Sequence, residues 1–298
     1  MKEKKRFNRD IIFYVVMLAF PVLQFCIFYI GVNGRSFLYA FQEIGEGGKA
    51  TFTTKTLEYA FKELFSPTLG KAFLTSFLAF LLTYFIGTSL ALFFSYFIYK
   101  KLPLGSVFKV FLFLPSIISA IVIAPLFLYF VEEAVPAFSE TIFHKTIDGL
   151  MSNQETKFGT IIFYNIFASF GTSVLMYSNA MGNISTEVVE AAKIDGCNQF
   201  HEFFHVVIPG IFPTITTFAI TSVAGIFVNQ LSLFAFFAGG EEGIVTLGYY
   251  LYKETLGSRS IESAYPRLCA IGFILSLIAV PLTILTKYLL ERFGPSEK

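Results

Sequence analysis

Tryptophan is absent from this 298-residue chain, and cysteine and histidine occur only three times each. Cys26, Cys197 and Cys269 stand singly, two in apolar runs and one in a polar loop. They offer neither a disulfide framework nor a zinc pattern and read as packing residues. His144 stands alone; His201 and His205, at i and i+4, could share a metal, but no carboxylate inside an apolar run completes a ligand set. Charge is scarce too, at 14% of residues against roughly 25% in ordinary soluble chains. The net charge of +1 falls between apolar blocks and builds no basic face for nucleic acid.

Hydrophobic residues fill the gap: they make up 55% of the chain, with 39 Phe and a mean hydropathy of +0.66. Without Trp, ring belts at a membrane surface fall to residues such as Tyr14, Tyr29, Tyr84 and Tyr99. A helix crosses hydrocarbon with about 20 mostly apolar residues, because unpaired backbone groups are intolerable in lipid. Six stretches qualify: 11–31, 72–99, 106–130, 158–178, 211–238 and 268–290. Pro115 and Pro125 interrupt the third, which membrane helices tolerate when neighbours satisfy the freed carbonyls. The expected fold is an all-α polytopic membrane protein of six transmembrane helices. Lys2, Lys4, Lys5, Arg6 and Arg9 precede the first run, which reads as a retained signal-anchor helix.

Orientation follows the Lys and Arg of short connections. The basic N-terminal segment 1–10, Lys100 and Lys101, Lys193, and the tail 291–298 with Arg292 and Lys298, all fall on one side and predict a cytoplasmic location for both termini. The connection 131–157, with Glu132, Glu133, Glu140, Asp148 and Glu155, suits the outside. Residues 11–290 are then a single transmembrane domain.

The central parts of the six runs contain no Asp, Glu, Lys, Arg or His; Lys71, Lys109 and Lys287 sit at ends, where long side chains snorkel. Charges inside a membrane mark ion and proton pathways, so a secondary transporter or a proton pump is disfavoured. Nucleotide hydrolysis by this chain is disfavoured as well. The phosphate-cradling loop ends in Gly-Lys-Ser/Thr, whereas Gly48-Lys49 and Gly70-Lys71 are both followed by Ala, and Gly45-Glu46-Gly47-Gly48 has no strand before it. Energy for uphill transport would enter from another chain.

Between the fourth and fifth runs, residues 183–209 read as two short helices. Ser185 is placed to cap the first with Glu187 in its first turn, Gly196 suits a left-handed residue past its end, and Asn198 can cap the second. Phe200, Phe203, Phe204 and Val207 follow a helical stripe, as an amphipathic linker on the membrane surface would. Glu190-Ala191-Ala192, three residues, Gly196, nine residues, then Val206-x-Ile208-Pro209 resembles the "EAA" loop of ABC importer permeases, with Val and Ile in place of Ile and Leu. The resemblance implies a type I ABC importer permease core in a bacterial cell membrane. It also implies a coupling loop, carried by Glu190, Ala191, Ala192, Asp195, Gly196 and Pro209, that seats in an ATP-binding subunit. A second permease, an ATPase dimer that uses the ATP and Mg, and an extracytoplasmic solute-binding protein would complete the assembly. This chain would hold no cofactor and catalyse nothing itself.

Asp195 before Gly196 resembles the maltose and oligosaccharide branch, as does Phe234 to Gly240 followed by Thr246 and Tyr252. Glu241 stands where that branch usually has Pro, and Thr75-Ser76 where Asn-Thr is commoner. The branch implies a sugar or oligosaccharide as solute, with glycerol-3-phosphate, a polyol or another small solute as the alternative. Asn229, Gln230 and Ser232 are candidates for the solute path, since side-chain amides beside aromatic rings suit sugars; interhelical hydrogen bonding is the competing use. For Asn165 the packing use is favoured.

Overall fold

The computed structural model of the protein describes residues 2–45, 49–101, 103–238, 240, 243–258 and 262–295. Glu46, Gly47, Gly48, Gly239, Glu241 and Lys298, named above, lie outside them. In chain order the described helices are α1 (Lys2–Gln24), α2 (Val32–Ala40), α3 (Lys55–Leu64), α4 (Pro67–Tyr99), α5 (Gly105–Ile117), α6 (Ala120–Tyr129) and α7 (Val135–Phe143). They continue with α8 (Gln154–Gly182), α9 (Thr186–Ile194), α10 (Gln199–Glu202), α11 (Ile208–Gly210), α12 (Phe212–Ala224), α13 (Leu233–Phe237), α14 (Leu247–Gly257) and α15 (Tyr265–Phe293). Among the described residues, five helical stretches are long and apolar enough to cross a membrane: Ile11–Ala40, Pro67–Tyr99, Ala120–Phe143, Gln154–Gly182 and Tyr265–Phe293. The pair Gln199–Gly210 and Phe212–Ala224, bent by 66° at the join, meets the same length and hydropathy only when the two helices are taken together.

Several boundaries differ from the sequence reading. The first run extends past 31, through a π-helical turn at Phe25–Gly31 into α2. The run at 106–130 is two helices: Pro115 sits within α5, and the break follows at Ile118 and Ser119, whose ψ values of 137° and 134° are extended. The apolar helix that begins at Ala120 continues to Phe143, so Glu132, Glu133 and Glu140 lie on helical turns rather than in a loop. The run at 211–238 is also two helices, α12 and α13, separated by unwound residues 225–232 in which Leu231 and Ser232 are left-handed. A short antiparallel hairpin, β1 (Gln42–Ile44) on β2 (Ala50–Phe52) with Glu43 opposite Thr51, was not anticipated.

The chain divides into two units, Met1–Ser66 with Glu254–Leu277 and Pro67–Lys253 with Ile278–Lys298. In the first, Arg267 donates two hydrogen bonds to the Glu63 carboxylate, at 2.7 and 2.6 Å, and stands 4.2 Å from the centre of the Tyr59 ring. Phe273 packs against both Phe37 and Phe41.

In the second unit α4 lies along α8. Its buried side chains include Ala72, Ser76, Ala79, Ala91 and Ser95, small residues at helical spacing that let backbones approach, the usual device where lipid removes the hydrophobic drive between helices. The Ser95 hydroxyl donates to the Val174 carbonyl at 3.0 Å across this seam. Gly171 of α8 meets α5 so closely that a Cβ there would collide with the Leu112 carbonyl oxygen. Asn153 caps α8, accepting from the Glu155 N–H at 2.9 Å. Just before it, the Glu132 carboxylate accepts from the Met151 and Ser152 N–H groups at 2.6 and 2.8 Å and from the Ser152 hydroxyl at 2.5 Å. A negative charge is thereby tied to the turn that opens α8. Large apolar side chains such as Phe85, Phe93, Phe111 and Ile121 remain exposed on these helices, as a lipid-facing surface requires.

Candidate functional site

Two features of the second unit carry functional chemistry: a cavity beside the unwound segment 225–232, and the capped segment 183–209. Unwound backbone at membrane depth persists only where something replaces the lost helical bonds. Here side chains from afar do so. The Asn165 amide donates to the Leu231 and Ile161 carbonyls, each at 2.9 Å, and the Thr246 hydroxyl donates to the Asn229 carbonyl at 3.0 Å. The Ser76 hydroxyl of α4 accepts from the Leu247 N–H at 2.9 Å. Asn229 closes the turn itself, its side-chain oxygen accepting from the Leu231 N–H at 2.9 Å. Gly248 passes so near this segment that a Cβ would strike the Val228 carbonyl.

The cavity measures about 480 Å³, within the roughly 300–1,000 Å³ of small-molecule sites. Among the described residues, none that line it is charged. Hydroxyls come from α4 (Thr83, Thr88), α8 (Ser169, Ser173) and α12 (Thr221, Ser222), with rings from Phe80, Tyr84, Phe170, Tyr177 and Phe218. Thr83, Ser169, Ser173 and Thr221 donate their hydrogens back to the carbonyls of Ala79, Asn165, Ser169 and Thr217 on their own helices. Their oxygens are left to accept, so the wall suits a neutral solute that donates hydrogen bonds and presents C–H faces to rings. Of the sequence candidates, Asn229 lines the cavity, whereas Gln230 and Ser232 are not among its lining residues. Ser232 turns to packing, its hydroxyl 3.5 Å from the Asn165 side-chain oxygen. The wall hydroxyls went unremarked in the sequence; their signal is Ser or Thr recurring at i, i+4 inside apolar runs, as at Ser169 and Ser173 or Thr217 and Thr221.

The segment 183–209 is built by caps. Ser185 accepts from the Glu187 N–H at 3.2 Å, starting α9. At its end Gly196 has φ +81°, a left-handed backbone free to glycine and costly to other residues. Its N–H donates to the Lys193 carbonyl at 3.1 Å and the Cys197 N–H to the Ala192 carbonyl at 3.0 Å, the paired bonds of a glycine-terminated helix. Asn198 accepts from the His201 N–H at 2.8 Å to start α10. Along α9 only Val189 is buried; Glu187, Val188, Glu190, Ala191, Ile194 and Asp195 are all exposed. Ala192 is half-buried.

The second helix is less regular than its stripe predicts. After four α-helical residues it passes into a π-helical turn, Phe203–Val207, and the stripe splits: Val207 is fully buried while Phe200 and Phe204 stay exposed. Pro209 lies within α11, and the following Gly210 abuts Ile184. The rings of His201 and His205 stack at 5.1 Å, with no third His, Cys, Asp or Glu placed to make a metal site among the described residues. Glu202, which the sequence reading passed over, is buried and ion-paired with Lys100, the residue that follows α4.

Similarity to known proteins follows these features. The arabinooligosaccharides transport system permease protein AraP of Halalkalibacterium halodurans is 29% identical over 198 residues, 64% of this chain and 61% of the relative. The aligned stretch thus spans less than two thirds of that relative's length. Among solved structures, a bacterial ABC transporter involved in the import of the acidic polysaccharide alginate superposes with a TM-score of 0.77. It covers 98% of this chain and 99% of the other at 18% identity. The same kind of transporter, in complex with an alginate pentasaccharide-bound periplasmic protein, matches with a TM-score of 0.73 at 17% identity, over 97% and 96% of the two chains. The fold is therefore that of a type I ABC importer permease, built from membrane-embedded helices. Residues 85–296, which hold the capped segment and the cavity wall apart from Ser76, Ala79, Phe80, Thr83 and Tyr84, match the family described as "Binding-protein-dependent transport system inner membrane component", and the chain belongs to that family.

Proposed function

We propose that this chain is the membrane-spanning, non-catalytic subunit of an ATP-driven importer that passes a neutral sugar or oligosaccharide from an extracytoplasmic binding protein to the cytoplasm. The observation that carries the reading is the pairing, in one unit, of an uncharged cavity walled by hydroxyl oxygens and rings with an exposed, glycine-terminated helix. α9 seats in a partner ATPase subunit. Ala191 and Ala192 allow close approach there, and Glu190 accepts a charge-assisted hydrogen bond from the partner. A second permease completes the path, both termini lie in the cytoplasm, and ATP with Mg binds only the partner. The arabinooligosaccharide permease that resembles it supports a saccharide solute. Glycerol-3-phosphate is disfavoured, because no Lys or Arg is among the cavity's lining residues to hold a phosphate.

The test is uptake of radiolabelled arabino-oligosaccharides by proteoliposomes holding this chain with its second permease, ATPase and binding protein. Uptake that requires ATP, and that falls in Glu190→Ala and Gly196→Val, is expected. Uptake by this chain alone, or equal coupling in both variants, overturns the reading.

A further inference from the structure

We infer that the partly buried Lys100–Glu202 ion pair is the latch through which segment 183–209 moves α4, an inference that rests on the transport reading above. α9 buries a single residue, Val189, so its own packing grips little of the bundle. The next turn grips much more. The Glu202 carboxylate is 3% exposed and meets the Lys100 ammonium, which also stands 5.4 and 6.0 Å from the ring centres of Tyr96 and Tyr99. The Tyr96 hydroxyl donates to the Gln199 carbonyl at 3.1 Å, and its ring packs on Phe203 at 4.9 Å. Two bonds thus run from the end of α4 to one turn of α10.

A buried ion pair is a weak device for stability, since apolar residues of the same volume serve as well; what it supplies is fixed geometry. The geometry it fixes is directional. The end of α4 is clamped to the helix that follows Gly196, and from there α4 runs back to Ser76, Thr83 and Thr88 in the cavity wall. Beyond the clamp the chain enters the π-helical turn Phe203–Val207, a backbone irregularity common at functional positions. Displacement of α9 by its partner is delivered to the wall of the cavity through this attachment, beside the packing of Val207 and Phe203 on α4. Lys100 and Glu202 are positioning residues; neither touches solute.

The test uses the full complex in proteoliposomes, with Cys26, Cys197 and Cys269 replaced by serine and Ser169→Cys as a reporter in the cavity. Labelling by a membrane-impermeant maleimide is measured with and without ATP and vanadate, alongside ATP hydrolysis. With Lys100 and Glu202 intact, trapped nucleotide changes the labelling rate. Lys100→Met, Glu202→Gln and the double variant are expected to shrink that change about tenfold while hydrolysis continues, and Lys100→Arg to keep it. A pair that serves folding alone predicts otherwise: the double variant, which leaves no charge unpaired, would regain the full nucleotide response together with normal yield, and that result overturns the latch. A double variant that fails to assemble overturns it too, as does a full response in either single variant. Absence of any nucleotide response with both residues intact removes the transport reading itself, and the latch with it.

Discussion

At position 196 a left-handed backbone ends α9, and only glycine takes it freely. Forcing an L side chain there costs about 1–2 kcal/mol. Gly196→Ala is therefore expected to lower coupled uptake by about five- to thirtyfold, with Gly196→Asn closer to normal because asparagine tolerates that region. Equal uptake in all three proteins would show that the bend is not needed. Asn229 and Asn165 make a second comparison. Asn165→Ala strips the Leu231 carbonyl of its donor, a loss of about 1–3 kcal/mol that appears as reduced folded yield. Asn229→Ala removes a group on the cavity wall as well as the acceptor of the Leu231 N–H, and is expected both to lower folded yield and to raise the half-saturating sugar concentration up to about tenfold, read from uptake kinetics. These single residues were legible in unequal degree. Ser185, Gly196 and Asn198 could be placed from local chemistry alone, because a cap is decided within four residues. Lys100 and Glu202, separated by 102 positions, could not, since nothing in either neighbourhood names the other.

Helices and their breaks obey a different logic. Hydropathy measures how apolar a run is and takes no account of its straightness, so 106–130 and 211–238 each read as one span although each is two helices. Proline was a misleading guide: Pro115 rides inside α5, and the chain breaks three residues later. In 211–238 the break is held by Asn165 and Thr246, which lie outside the run, so no window along it carries the information. Gly225, which ends α12, is a local sign of the break that hydropathy does not weigh. The turn that opens α8 shows how an acidic residue can belong to a helix and still be satisfied. Glu132→Gln is expected to lower the unfolding temperature in detergent by several degrees, because a carboxylate accepting three hydrogen bonds gives way to an amide with one acceptor. An unchanged unfolding temperature would mean that the clamp contributes nothing. The seam of α5 with α8 makes a steric counterpart: Gly171→Val leaves no room beside the Leu112 carbonyl and is expected to abolish folded yield.

For the molecule as a whole, the side of each connection decides whether the assembly can work. The proposed cytoplasmic N-terminus predicts that Asp195→Cys is reached by an impermeant thiol reagent only after cells are opened, and Glu140→Cys in intact cells. The reverse pattern would invert the topology and remove the ATPase partner from α9. The cavity carries a further consequence. In the proposed cycle, a wall without formal charge among the described residues, enclosing the neutral solute proposed above, carries no charge across the bilayer for the electric field to act on, a field worth about 2.3 kcal/mol per elementary charge at 100 mV. Dissipating the membrane voltage with a potassium ionophore should leave the rate of sugar entry where it was: cells whose voltage has collapsed would go on feeding through this protein for as long as their ATP lasted.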